Sequence, residues 1–154
     1  MNYQRILVAI DGSDGSKQAL ESAVELVGNS TKELTLIHVI KGSPITSVYG
    51  VADVGYVHTE LLEHKETEMK GESILRKAQL DILRKKPVEV ESININTELL
   101  EGDAAVTICD YAEMNDIDLI IIGNRGLSGL KKLVLGSVSK TVTSEANCSV
   151  LVVK

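Results

Sequence analysis

The chain has 154 residues, 44% of them hydrophobic, which is enough to enclose one substantial core, so we expect a single domain over residues 1–154. Its 16 basic and 22 acidic residues leave a formal charge of −6 without a run of lysine or arginine, which argues against a nucleic-acid partner. The amino-terminal apolar segment is short and ends at an aspartate, so it predicts neither a signal peptide nor a membrane span and favours a cytoplasmic location.

Two strands with a helix between them are predicted at the start of the chain. RILVAI (5–10) is a short apolar run rich in branched residues and followed by the turn residues DGS, which is typical of a buried strand. Apolar residues at helical spacing predict a helix from about Asp14, which we expect to cap it, to Gly28. ELTLIHVI (33–40) predicts the second strand.

A loop, a long helix and a third strand are predicted next. The segment 41–57 has no clear hydrophobic periodicity and is long for a connection in a compact domain. This favours a functional or mobile loop such as a lid. The segment from about 58 to 86 has glutamates early and basic residues late, which predicts a helix that Pro87 ends. VEVESININTEL (88–99) alternates in polarity and predicts a half-exposed strand.

The remaining elements continue the alternation of strand and helix. A third helix is expected to open at Gly102-Asp103, DLIII (118–122) predicts strand four, and a helix from Gly136 to about Ala146 precedes strand five, SVLVVK (149–154). This pattern predicts a three-layer, Rossmann-like α/β fold, an open sheet of five parallel strands with helices on both faces. Strands one and four are apolar on both faces and therefore central, whereas strand three belongs at an edge, which gives the order 3-2-1-4-5.

The segment GNRGLSGLKKLVLGSVS (123–139) follows strand four, at the point where such sheets bind ligands. Amides of a tight loop and of a helix amino end can hold a phosphate, and glycines remove the Cβ atoms that would obstruct it. We therefore expect a nucleotide or phosphate site at Gly123, Gly126, Gly136 and the amides of 137–139. The alternative is that the glycines, including Gly129, only turn the chain and that Ser137 caps the last helix.

The spacing Gly123-x2-Gly126-x9-Gly136-Ser137 resembles the signature of the ATP-binding branch of the universal stress proteins. The resemblance continues through ILVAIDGSDGSKQAL, LIHVI, GDAAVTICDYAEMNDIDLIIIG and CSVLVVK. It implies an adenine-nucleotide alpha-hydrolase-like fold, a homodimer, and ATP or AMP as ligand, with Mg²⁺ or Mn²⁺ as a cation that the phosphates could carry. No defined catalytic reaction comes with it. The residues expected at the nucleotide are Ile10, Asp11, Val39, Gly123, Arg125, Gly126, Gly136, Ser137, Val138 and Ser139.

Individual side chains leave alternatives open. By resemblance Asp11 contacts the adenosine and Val39 lines the adenine through its backbone, although Asp11 could also be a turn residue. Arg125 can grip a phosphate with two parallel hydrogen bonds, whereas Lys131 and Lys132 are more typical of a solvated surface. The histidines lack metal-binding spacing and are interpreted as solvated or core residues, and the cysteines as reduced thiols: His38, His58, His64, Cys109 and Cys148.

Strand five carries a separate prediction. Val150, Leu151, Val152 and Val153 are apolar on both faces, yet the strand order places them at an edge that invites pairing. A two-fold pairing of strand five would make a homodimer; cover by the last helix and the chain terminus is the alternative. Ser149 stands where the family usually has proline.

These observations favour a nucleotide-binding regulatory module of a stress response, held as a homodimer. The alternatives are a slow ATPase and a nucleotide-free dimeric scaffold. The sequence argues against the ATPase, because no pair of base and nucleophile stands out in it.

Overall fold

The computed structural model describes residues 3–27, 31–42, 54–85, 93–127 and 135–154, with the backbone alone at 54–58. Strands and helices alternate along the chain: β1 Arg5–Ala9, α1 Asp14–Leu26, β2 Glu33–Ile40, α2 Val54–Lys85, β3 Asn94–Glu101, α3 Ala104–Met114, β4 Leu119–Gly123, α4 Ser137–Glu145 and β5 Ser149–Val153. Within the described ranges, no helix combines the length and the apolar character that a membrane span needs.

The strands form one parallel sheet in the order β3-β2-β1-β4-β5, which confirms the predicted fold class and strand order. In its centre, Val8 of β1 pairs with Leu36 of β2 on one side and with Ile121 of β4 on the other. All five residues of β4 are buried, as its unbroken apolar sequence predicts for a strand covered on both faces.

Two layers of helices cover the sheet. On one face, Ala19 and Ala23 of α1 and Ile82 of α2 pack against Ile6, Val8 and other buried side chains of the central strands. On the opposite face, Ile108 of α3 and Val142 of α4 pack against a second buried cluster. Because α1 and α4 begin at the carboxyl edge of the sheet, their amino ends come close to the ends of β1 and β4.

Several predicted boundaries differ from the observed ones. β3 spans Asn94–Glu101 and ends two residues later than predicted, because it pairs to the end of β2 at Ile40↔Glu101; residues 88–92 of the predicted strand lie outside the described ranges. Helix α2 begins at Val54, so the end of the predicted 41–57 loop is helical; residues 43–53 lie outside the described ranges. Helix α1 ends at Leu26, and the predicted stop signals Gly28 and Pro87 also lie outside them.

One predicted helix cap is wrong by one residue. Ser13, not Asp14, caps α1: its Oγ accepts from the Ser16 N–H at 3.2 Å, while Asp14 pairs with Lys17 at 2.9 Å. The last helix opens at Gly136-Ser137 as predicted, with Gly136 as its cap, so Ser137 is not the cap that the alternative interpretation made it. Asp103 caps α3 as predicted, accepting from the amides of Ala105 and Val106 at 3.1 Å each.

Candidate functional site

A cavity of about 270 Å³ opens at the carboxyl ends of β1, β2 and β4. This lies just below the usual range for small-molecule sites, about 300–1,000 Å³. All ten predicted site residues line it: Ile10, Asp11, Val39, Gly123, Arg125, Gly126, Gly136, Ser137, Val138 and Ser139. The strand order and the family resemblance together predicted this grouping, because β1 and β4 flank the point where the order of the strands reverses.

The amino end of α4 forms one wall of the cavity. The Lys140 N–H donates to the Gly136 carbonyl at 2.9 Å and is the first intrahelical bond, so the amides of residues 137–139 precede the helical ladder. The Gly136 N–H donates to the Asn124 carbonyl at 2.8 Å, and the buried Ser139 hydroxyl donates to the Gly123 carbonyl at 2.7 Å. The helix end is therefore fixed to the end of β4, with amides and helix dipole suited to an anion.

Arg125 adds a cationic group to the same cavity. Its Nε atom is buried, and no hydrogen-bond partner lies within reach of it among the residues that the structure describes. A buried donor without a partner costs about 1–3 kcal/mol, and more when it is charged. An anionic oxygen in the cavity would remove this cost, so Arg125 favours a phosphate or carboxylate ligand.

Asp11 and Gly126 face each other across the cavity wall. Asp11 Oδ1 accepts from the Ser13 N–H at 2.9 Å, so the carboxylate is held by the turn that follows β1. A Cβ atom at Gly126 would lie 2.5 Å from Asp11 Oδ2. Gly126 thus leaves room for the second carboxylate oxygen, which the turn does not use.

The geometry gives Gly123 a different role from the one expected. A Cβ atom there would lie 2.5 Å from the carbonyl carbon of Gly15, so it would strike the first turn of α1 rather than enter the cavity. A Cβ at Gly15 would in turn lie 2.5 Å from the Arg125 carbonyl oxygen. The two glycines allow α1 to pack closely on the end of β4, and Gly123 lines the cavity only with its backbone.

Several lining residues were not predicted, and His38 is the most polar of them. Its Nδ1 lies 2.5 Å from the Ile10 carbonyl oxygen, which can only accept, so Nδ1 carries the proton. The interpretation of His38 as a solvated or core histidine missed this position, although pairing of Ala9 with Ile37 places His38 beside Ile10. The other unpredicted lining residues are Ala9, Ser16, Ile37, Ala104, Ile108, Ile122 and Leu127.

The remaining candidates lie elsewhere. Lys131, Lys132 and Gly129 fall outside the described residues. Cys109 and Cys148 are free thiols against the core of the α3 and α4 face, and burial raises the pKa of both, which disfavours the reactive thiolate.

Fold and cavity together define an open α/β protein with a cavity at the switch point of its sheet, lined by Arg125 and by the amino end of α4. Residues 2–154 match the model of the Universal stress protein family, and the chain belongs to that family. It is 36% identical over 154 residues to Universal stress protein YxiE of Bacillus subtilis, covering 99% of both chains.

Two solved structures of the family share its shape. UspA from Lactobacillus plantarum has a TM-score of 0.78 at 28% identity, covering 100% of this chain and 99% of its own. The universal stress protein from Archaeoglobus fulgidus, in complex with dAMP, has a TM-score of 0.61 at 26% identity, covering 100% of both chains.

Proposed function

We propose that the protein is an adenine-nucleotide-binding regulatory module of a stress response, with ATP or AMP held in the cavity between β1 and β4. The observation that carries the proposal is Arg125, whose buried Nε has no partner among the described residues, beside the first amides of α4, which precede the helical ladder. Both groups favour phosphate, and the family relative from Archaeoglobus fulgidus binds a nucleotide, dAMP.

The cavity offers different surroundings to the two ends of such a ligand. Ile10 and Val39 provide an apolar wall near β1 and β2, with the Asp11 carboxylate at its edge, which suits an adenosine. Arg125 and the amides of residues 137–139 provide the opposite, cationic end, which suits phosphates. Gly126 and Gly136 belong to the backbone between these two ends.

A divalent cation such as Mg²⁺ or Mn²⁺ fits this proposal only as a companion of the phosphates. Asp11 is the one acidic side chain among the described lining residues. Mg²⁺ commonly binds through one carboxylate together with phosphate oxygens and water, so Asp11 is the residue that would contact it.

We propose in addition that the protein acts as a homodimer in which β5 pairs with its copy. β5 ends the sheet, and Val150, Leu151, Val152 and Val153 are all only half-buried. Apolar residues on a sheet edge favour pairing with another strand.

The test is a calorimetric titration of nucleotide-free protein with ATP, AMP and adenosine, comparing the wild type with Arg125→Met. Methionine keeps most of the aliphatic stem and removes the guanidinium. A hydrogen bond to a charged group contributes about 1.5–3 kcal/mol, so ATP affinity should fall roughly 10- to 100-fold while adenosine affinity changes little.

Arg84→Met is the matched control. Arg84 is exposed in the last turn of α2, which lies at the opposite edge of the sheet from the cavity, so ATP affinity should be unchanged. Absence of saturable binding at millimolar nucleotide would refute the nucleotide site and leave the scaffold alternative. Release of phosphate from bound ATP above background would instead favour the slow ATPase.

A further inference from the structure

We propose a metal site, outside the nucleotide cavity, at His64, Glu68 and Glu101, with Zn²⁺ as its preferred cation. One donor atom from each side chain, the imidazole nitrogen and two carboxylate oxygens, lies within 4.8 Å of the other two. Zn²⁺ binds nitrogen and oxygen ligands at about 2.0–2.2 Å, so two of its ligands lie at most about 4.4 Å apart. The His64 Nε2 atom is within that separation of both carboxylates, at 3.6 Å from Glu68 Oε1 and 2.9 Å from Glu101 Oε1.

Two of the three ligands are aligned by helix α2. His64 and Glu68 are four residues apart and lie on the same helical face, where His64 Nε2 is 3.6 Å from Glu68 Oε1. The third ligand comes from the sheet: Glu101 Oε1 lies 2.9 Å from the same Nε2 atom. Sequence spacing alone does not reveal this group, because Glu101 is remote from the other two residues along the chain.

The backbone on both sides of the cluster is fixed. A Cβ at Gly71 would lie 2.6 Å from Leu99 Cδ1, so α2 passes very close to β3 next to the cluster. Beyond Glu101, the Gly102 N–H donates to the Ile40 carbonyl at 3.0 Å, and Asp103 caps α3. The three ligands therefore project from rigid elements, which lowers the entropy that a cation must overcome.

The environment of the donors suits a transition metal with water in its remaining positions. The His64 side chain is 19% exposed, whereas those of Glu68 and Glu101 are 44% and 45% exposed, so solvent reaches one side of the cluster. Two carboxylates repel each other unless a positive charge lies between them. Imidazole with carboxylate favours Zn²⁺, whereas Mg²⁺ prefers oxygen ligands in an octahedron.

The experiment is calorimetric titration of nucleotide-free protein without an affinity tag, using Zn²⁺ alone and then Mg²⁺ alone. We expect one equivalent of Zn²⁺ to bind and to raise the melting temperature, and Mg²⁺ to bind far more weakly. His64→Ala, Glu68→Gln and Glu101→Gln should each reduce Zn²⁺ affinity by more than about tenfold, since even outer-shell changes cost 10- to 100-fold.

Glu66→Gln is the control, because Glu66 lies on the same helix, loses the same charge and pairs with Lys70 instead of His64. It should keep wild-type Zn²⁺ affinity. Should Glu101→Gln fail to fold, Glu68→Gln tests the same site from the helix surface. Absence of saturable Zn²⁺ binding, or equal affinity in all variants, as binding at the cysteines would give, overturns the proposal.

Discussion

At the scale of single residues, the glycines around the cavity divide according to what a side chain would meet. At Gly126 a Cβ would approach the tip of the Asp11 side chain, which can move only by disturbing its hydrogen bond with the Ser13 N–H. At Gly123 it would meet backbone atoms of Gly15, which belong to the first turn of α1 and cannot move alone. Substitution at Gly123 therefore tests packing, whereas substitution at Gly126 tests the position of the Asp11 carboxylate.

We expect Gly123→Ala to lower the free energy of unfolding by about 1–3 kcal/mol, the usual cost of overpacking a close contact. Urea denaturation measures this directly. Gly42→Ala is the matched control, because a Cβ at Gly42 has nothing within 4 Å, and its free energy of unfolding should match that of the wild type within about 1 kcal/mol. Equal free energies of unfolding for the two variants would contradict the close packing of α1 on the end of β4.

At the scale of elements, the sequence predicts the central strands better than the boundaries. The apolar run DLIII is recognisable because a strand covered on both faces must be apolar throughout. The carboxyl end of β3 is not encoded in its own alternation, because it depends on the length of β2, its partner. Ser13 and Asp14 are equally good cap residues by type, and the choice depends on which one has extended backbone.

For the candidate site, too, the sequence predicts the position of the cavity but not the individual contacts within it. The strand order predicted where the cavity lies, and with the family resemblance it predicted ten of the residues that line it, but not the others, such as His38 and Ile108. The hydrogen bond of His38 with Ile10 and the contact of Gly123 with Gly15 each join residues far apart in the chain, and the burial of Arg125 Nε without a partner among the described residues depends on the packing around it. Sequence periodicity does not contain such contacts, so they required the structure.

The cap of α3 gives a prediction at this scale, because that helix begins with Ala104 in the cavity wall. Asp103→Ala removes the acceptor for two amides and should lower the free energy of unfolding by about 0.5–2 kcal/mol. Asp110→Ala is the control, since Asp110 is exposed on the same helix and does not cap it. Urea denaturation compares the two, and equal losses would contradict the assigned cap.

At the scale of the whole molecule, the structure defines which backbone groups of β5 face β4 and which ones point outward from the edge of the sheet. The Ser149 N–H donates to the Asp118 carbonyl at 3.2 Å, and the Asn124 N–H donates to the Val153 carbonyl at 2.7 Å, so both ends of the strand face β4. Because backbone groups alternate along a strand, Val150 and Val152 direct their N–H and C=O groups to the opposite side. In the part of the chain that the structure describes, β5 pairs with β4 alone.

The proposed dimer predicts that the backbone of Val152 is needed for association. Val152→Pro removes an outward N–H without removing a bond to β4, and proline is tolerated on an edge strand, so the variant should fold and be monomeric. Val152→Thr keeps the N–H and the branched shape and should remain dimeric. Light scattering across a dilution series measures the molar mass, and a thermal melt of each variant verifies folding. A monomeric wild type, or a Val152→Pro variant that dimerises as tightly as the wild type, would show that β5 does not pair with its copy.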